Sequence, residues 1–292
     1  MIHYSFPLYR PPAEADNIII QATLGCSHNR CTYCGMYKSK RFTIRPIEKI
    51  KEEIEILSHR YPDANKVFLA DGDALALPTE HLTELLRLLK TSFPRLSRVS
   101  LYATAQNFLE KSVDELKELR AGGLSLAYFG IESGNDELLS IIDKGVNRDQ
   151  MIEALHRAHE AGIKISATVI LGIGGEEYSK EHIYDTAKLI NAAPITYLST
   201  LQLGLEEGTK ERFLRAFDSF TLLNDLHILH EQRDLLSLIN PPQKVIFRSN
   251  HASNALHLAG TLPKDSKKLL AQIDDALRTG EDAMVPRWMR GF

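Results

Sequence analysis

The chain has 292 residues, enough for one large domain or two small ones with a substantial core. Hydrophobic residues make up 43% and charged residues 25%, which excludes a disordered chain or a collagen-like repeat. The formal net charge of -3 provides no global basic field for nucleic acid or an anionic membrane, and no apolar run is long enough to span a bilayer.

Residues 1–12 lack a basic region followed by an apolar stretch, so no secretory signal is expected and the protein is expected to be cytoplasmic. Residues 17–23 form the first of six short apolar runs that read as buried strands. The others are 66–70, 98–104, 125–131, 164–171 and 195–203, each bounded by turn residues. Helical patterns lie between them. Pro46 suits the first turn of a helix whose Ile47, Ile50, Ile54 and Leu57 share a face. Leu82, Leu85, Leu86 and Leu89 repeat that relation. A shorter helix over 114–120 ends at Gly122, and Asn135 suits an N-cap. Asn147 suits the cap of a helix bearing Met151, Leu155 and Ala158, with Gly162 past its end. A helix over 179–191 completes the series. Strand–helix alternation implies a parallel sheet with right-handed crossovers, either doubly wound or an incomplete (β/α) barrel, with chemistry at the carboxyl ends of the strands. Beyond about residue 240 the pattern changes to a strand-like 244–248, a polar knot over 249–254 and a helix near 264–278. The expected division is a core over 1–240 and a C-terminal extension over 241–292 packed on it.

All three cysteines fall between Cys26 and Cys34, directly after the first strand, spaced C-x4-C-x2-C. An odd, clustered set does not make a disulfide framework, so a reducing compartment is expected. Three soft ligands on one loop suit an iron–sulfur cluster or zinc. A [4Fe–4S] cluster takes four ligands, and three would leave one iron open. The competing reading is a closed Cys3His zinc site with His28, which lies two positions after Cys26 and so departs from the usual paired spacing.

Such a loop after the first strand of six β/α units, with an aromatic residue before its last cysteine, resembles the radical S-adenosylmethionine (SAM) superfamily over residues 15–210. The usual spacing there is C-x3-C-x2-C, one residue shorter between the first two cysteines. The resemblance implies an α/β fold of the partial (β/α)6, TIM-like barrel type. It implies a [4Fe–4S] cluster on Cys26, Cys31 and Cys34, SAM on the open iron, and Tyr33 against the adenine. Asp71-Gly72-Asp73 stands where the family has a Gly-Gly-Glu turn. Gly72 would then allow close backbone approach, and Asp73 would meet the SAM amino group. Gly130-Ile-Glu132-Ser133-Gly134 resembles a segment of the subgroup containing coproporphyrinogen dehydrogenases, methylthiotransferases and the Elongator catalytic subunit. This makes Glu132 and Ser133 ribose or methionine-moiety contacts and pairs Lys144 with the SAM carboxylate. Gly172-Ile-Gly174-Gly175-Glu176 resembles the family's G-x-P-G-E turn, with Gly174 in place of proline.

The activity implied is reductive cleavage of SAM by a low-potential donor such as flavodoxin or ferredoxin. The resulting 5′-deoxyadenosyl radical abstracts hydrogen from a substrate, with oxidoreductase, lyase or transferase left open. No cysteine lies outside the loop, which argues against the auxiliary cluster of a methylthiotransferase and against a methyl-carrying cysteine. The first strand near residue 17 leaves no room before it for a cobalamin domain, and a basic RNA-binding appendage is missing, so a small-molecule substrate is expected. Strand-borne candidates for the interior are Tyr102, Thr104, Gln106, Thr168, Thr200 and Gln202. Arg248, Asn250, His251 and Asn254 are further substrate candidates, and residues 287–292 suit a lid. Alternative readings are a cluster- and SAM-binding haem or cofactor carrier and a zinc-stabilised α/β binding protein.

Overall fold

Eight strands form the main sheet of this computed structural model, which describes residues 2–291, so Phe292 of the tail lies outside the described residues. They are β1 (Ile18–Gln21), β2 (Lys66–Ala70), β3 (Arg98–Ala103), β4 (Leu124–Glu132), β5 (Lys164–Leu171), β6 (Tyr197–Gln202), β7 (Val245–Ser249) and β8 (Leu258–Leu262), in that spatial order. The pairs within β1–β4 and within β5–β7 are parallel, and β8 runs antiparallel to β7. All six expected strands form. By packing, the chain divides into two units, one of residues 1–29, 34–129 and 156–165, the other of residues 30–33, 130–155 and 166–292.

In the first unit, α1 (Ile47–Arg60), α2 (Thr79–Ser92) and α4 (Val113–Gly122) carry the apolar stripes read from the sequence. Leu82, Leu85, Leu86 and Leu89 are at most 1% exposed. Each such leucine contributes roughly 1.5–3 kcal/mol of burial. A capping box of Ser112 and Glu115 starts α4, and Gly123 ends it with φ of 120°. Thr104, an interior candidate, caps the short α3 (Ala105–Glu110) instead. Phe68, Tyr102 and Tyr128 pack edge to face across β2, β3 and β4. The fully buried Glu14 accepts hydrogen bonds from Tyr128 (2.6 Å) and Arg98 (2.8 Å).

The second unit contains α5 (Asp136–Ile141), α7 (Ser179–Ala192), α8 (Glu207–Leu214), α9 (Asp225–Leu238) and α10 (Ser266–Thr279), while α6 (Arg148–Glu160) belongs partly to each unit. Strand alternation decides which residues meet the helices. Thr200 was a candidate for the interior, but its hydroxyl donates to Gln232 on α9 at 2.9 Å, and Ser249 donates to the same oxygen at 3.1 Å. Residues beyond 240 supply β7, β8 and α10. The tail is tied back by Arg290, which makes a two-pronged contact with Asp225 at 2.8 and 3.0 Å. Among the described residues no helix is long and apolar enough to cross a membrane.

Candidate cofactor site

β2 delivers Asp71-Gly72-Asp73 against the first half of the cysteine loop. Asp71 Oδ2 accepts from the Gly25 amide (2.9 Å) and pairs with Lys40 (2.8 Å), while its Oδ1 accepts from Gln21 (3.0 Å). Asp73 accepts from the Ser27 amide (2.9 Å) and also from the Ser27 hydroxyl. The two carboxylates therefore hold the residues on either side of Cys26. Gly72 between them donates its amide to the Gly25 carbonyl at 3.0 Å. A Cβ at residue 72 would lie 2.8 Å from the Cys26 Cβ and 3.0 Å from the Tyr37 ring, so only glycine fits. Both aspartates are fully buried. Burial pushes the Asp73 carboxyl up, against hydrogen bonds from Ser27 and Asn107 that pull it down. Asp73 was expected at the SAM amino group, and here both of its oxygens are engaged by Ser27.

The middle of the loop, residues 30–33, belongs to the second unit. Arg212 on α8 donates to the carbonyls of Cys31 (3.0 Å) and Thr32 (2.8 Å), and the Thr32 amide donates to the Ile142 carbonyl (3.0 Å). Cys26, Cys31, Tyr33 and Cys34 are all half-buried. Among the described residues no three His, Cys, Asp or Glu side chains form a ready-made group for a metal ion. The donor set nonetheless fits a cluster: three thiols on one loop and no fourth cysteine in the chain. The bare Gly72 backbone lets the loop pack closely at Cys26.

Glu132 and Lys144, expected around SAM, are brought together as a part-buried ion pair of 2.9 Å. Glu132 sits in the left-handed region with φ of 61°, a conformation costly for a residue with a side chain. A Cβ at Gly130 would collide with the Glu132 carboxylate, so glycine at 130 is what lets that side chain fold back onto the strand. Ser133 is fully buried, with its hydroxyl 2.8 Å from Nδ1 of His182. Complete burial pushes the His182 pKa down to about 4, which keeps the ring neutral.

Gly172, at φ of 78°, donates its amide to Glu231 Oε2 at 2.6 Å, and Ser179 donates to Oε1 at 2.7 Å. A carboxylate on α9 thus fixes the turn after β5. Desolvation raises the Glu231 pKa to about 7, opposed by these two hydrogen bonds. Its folded pKa exceeds its unfolded one, so the folded state binds the extra proton. This contribution is complete below about pH 4.5 and is lost as pH rises through about 7. The thermal midpoint of the wild type is expected to fall between those pH values by more than that of Glu231→Gln. Melting curves across pH check this, and parallel curves would contradict it.

The polar segment after β7 divides in two. Asn254 is buried and spends its side chain on β6 and β7: it accepts from the Gln202 amide (2.8 Å) and donates to the Thr200 carbonyl (2.8 Å) and Ser249 (3.0 Å). His251 is half-buried, 2.8 Å from the Ser253 hydroxyl, and desolvation lowers its pKa. Arg248 and Asn250 are exposed. Sequence reading named the turn that carries Asp71 without giving that residue a role, and it missed Ser27, Arg212 and Glu231. Of those three only Glu231 left a signal, as an acid within the stripe of Ile228, Leu229, Leu235 and Leu236.

These features coincide with a known family. The Radical SAM superfamily model matches residues 20–190, more than half of the chain, and the chain belongs to that superfamily. A [4Fe–4S] cluster and SAM are the cofactors of that family. Its relatives include an uncharacterised methyltransferase of Pyrococcus horikoshii, 29% identical over 194 residues, covering 63% of this chain and 39% of that protein. The haem chaperone of Bacillus subtilis is 26% identical over 175 residues, covering 57% of this chain and 46% of that protein. The chain thus spans less than half the length of each of these two curated relatives. Coproporphyrinogen III oxidase of Escherichia coli, at 18% identity, superposes with a TM-score of 0.57 over 76% of this chain and 52% of that one. That likeness shows the fold, an α/β partial barrel with a mainly parallel sheet.

Proposed function

We propose that Cys26, Cys31 and Cys34 ligate the cluster and that SAM fills the open iron beside Tyr33, Gly72, Glu132 and Lys144. The observation that carries this reading is the three-cysteine loop inside the matched region, with its first cysteine seated on the bare backbone of Gly72. When bound, the cluster and SAM supply a one-electron cleavage that ends in hydrogen abstraction from a substrate. The protein's own part is positioning. The Asp71 and Asp73 carboxylates hold the loop around Cys26, Arg212 holds the Cys31 and Thr32 carbonyls, and Glu231 holds the Gly172 turn. The polar segment after β7 and the substrate's entry belong to the same reading, with residues 241–292 as an extension of the core. The substrate is a small molecule, the reductant a flavodoxin- or ferredoxin-like donor, and the setting the cytoplasm.

The test is anaerobic reconstitution. Iron and sulfide near ~4 each per chain are expected, and dithionite with SAM is expected to yield 5′-deoxyadenosine. Stoichiometric zinc without iron, or iron-loaded protein that leaves SAM intact, would reverse the assignment. The likeness to the Bacillus subtilis haem chaperone favours a second reading, a cluster- and SAM-binding haem carrier. A saturable haem absorption band would support it, and no saturation up to excess haem rejects it.

A further inference from the structure

Arg248 lies in a row of side chains that strand register makes explicit. Thr168 on β5 is the neighbour of Ser199 on β6, and Ser199 is the neighbour of Arg248 on β7. The adjoining row, Ala167, Leu198 and Phe247, is fully buried. Thr200 and Ser249, one residue beyond Ser199 and Arg248, contact Gln232 on α9. Alternation therefore turns Thr168, Ser199 and Arg248 away from that helix, side by side at the interstrand spacing of ~4.8 Å. Thr168 and Ser199 are half-buried and Arg248 is exposed, so the row is accessible.

The flanking positions on that face carry no charge. Ile170 and Leu201 lie on one side of the row, and Ser166, Tyr197 and Ile246 on the other. The guanidinium of Arg248 is pinned from one end. Nη1 donates to the carbonyls of Phe247 (2.7 Å) and Gly260 (3.3 Å). Among the described residues it meets no carboxylate. A guanidinium at one end of a register row that carries two hydroxyls, with no charged residue at these flanking positions, supplies the donor types of an oxyanion site.

We propose that Arg248, with the hydroxyls of Thr168 and Ser199, binds the anionic group of the substrate, a carboxylate or a phosphate ester. The assignment rests on the radical SAM reading above and narrows its substrate to an anionic small molecule. It also separates Arg248 from Asn254, whose amide is consumed in bracing β6.

The experiment is calorimetric titration of the iron-loaded protein with inorganic phosphate and, separately, with acetate. At least one is expected to bind saturably, and Arg248→Gln is expected to weaken it about tenfold or more, with Arg248→Lys retaining part. Thr168→Val and Ser199→Ala are each expected to weaken it several-fold at unchanged thermal midpoints. Preference for phosphate points to a phosphate ester and preference for acetate to a carboxylate. Equal affinity in wild type and Arg248→Gln, or no saturable binding of either probe, overturns the proposal. Formation of 5′-deoxyadenosine is followed in the same wild-type preparation. Its absence alongside Arg248-dependent anion binding would sink the enzymatic reading and leave this site standing.

Discussion

Alanine in place of Cys26, Cys31 or Cys34 is expected to bring 5′-deoxyadenosine formation to background, and Gly72→Ala to come close to the same loss with every thiol intact. The cysteine variants remove one of three protein ligands from a cluster that already depends on SAM for its fourth contact. The glycine variant works through space. Its added methyl would stand 2.8 Å from the Cys26 Cβ and 3.0 Å from the buried Tyr37 ring. Neither neighbour is the free end of a flexible side chain. The Cys26 backbone is held from both sides by Asp71 and Asp73, so relief must come from displacing the loop itself. Overpacking of this kind costs about 1–3 kcal/mol, and here the strain falls on the ligand. Iron and sulfide per chain and the rate of SAM cleavage check both variants. Full iron content with a wild-type rate in Gly72→Ala would show that the turn does not seat the loop.

The fold was legible because each parallel strand is a short, continuous apolar run and each helix repeats its apolar residues every three or four positions. Both patterns follow from what the sheet and helices must bury. Two features were harder to see. β8 has only Leu258 and Leu262 buried, with Ala259, Gly260 and Thr261 between them, so its sequence carries no alternation. Its place depends on pairing with β7. α9 does carry a legible stripe of Ile228, Leu229, Leu235 and Leu236, and its acid Glu231 becomes informative only once its helix is seen against the turn at Gly172. The site was legible where a residue type is itself the chemistry, as with the cysteines. It was opaque where a residue acts by reaching across the chain. Asp71 and Gln21 are 50 positions apart, and Arg212 and Cys31 are 181 apart. Thr200 went astray for a simpler reason: a register offset of one residue moves a side chain to the other face.

The same long-range contacts set the second large effect. Asp71→Ala is expected to destabilise the protein by about 3–5 kcal/mol, because it strands the Lys40 ammonium where that side chain is only 7% exposed and its partner 0%. The Gly25 amide and one donor of Gln21 lose their acceptor with it. At ~2–4 °C per kcal/mol for a chain of this size class, the thermal midpoint should fall by roughly 10 °C. Much of that penalty belongs to the abandoned charge rather than to the pair's net worth. Lys40→Met alone also destabilises, but the double variant Lys40→Met with Asp71→Ala should recover part of the loss, giving a coupling of about 1–3 kcal/mol in a double-mutant cycle. Iron retention should not recover in parallel. Replacing the lysine removes the stranded charge but leaves the Gly25 amide beside Cys26 without its acceptor. Additive effects on the midpoint would show that the Lys40–Asp71 pair is not what the variant loses, and full iron content in the double variant would show that Asp71 does not serve the cysteine loop.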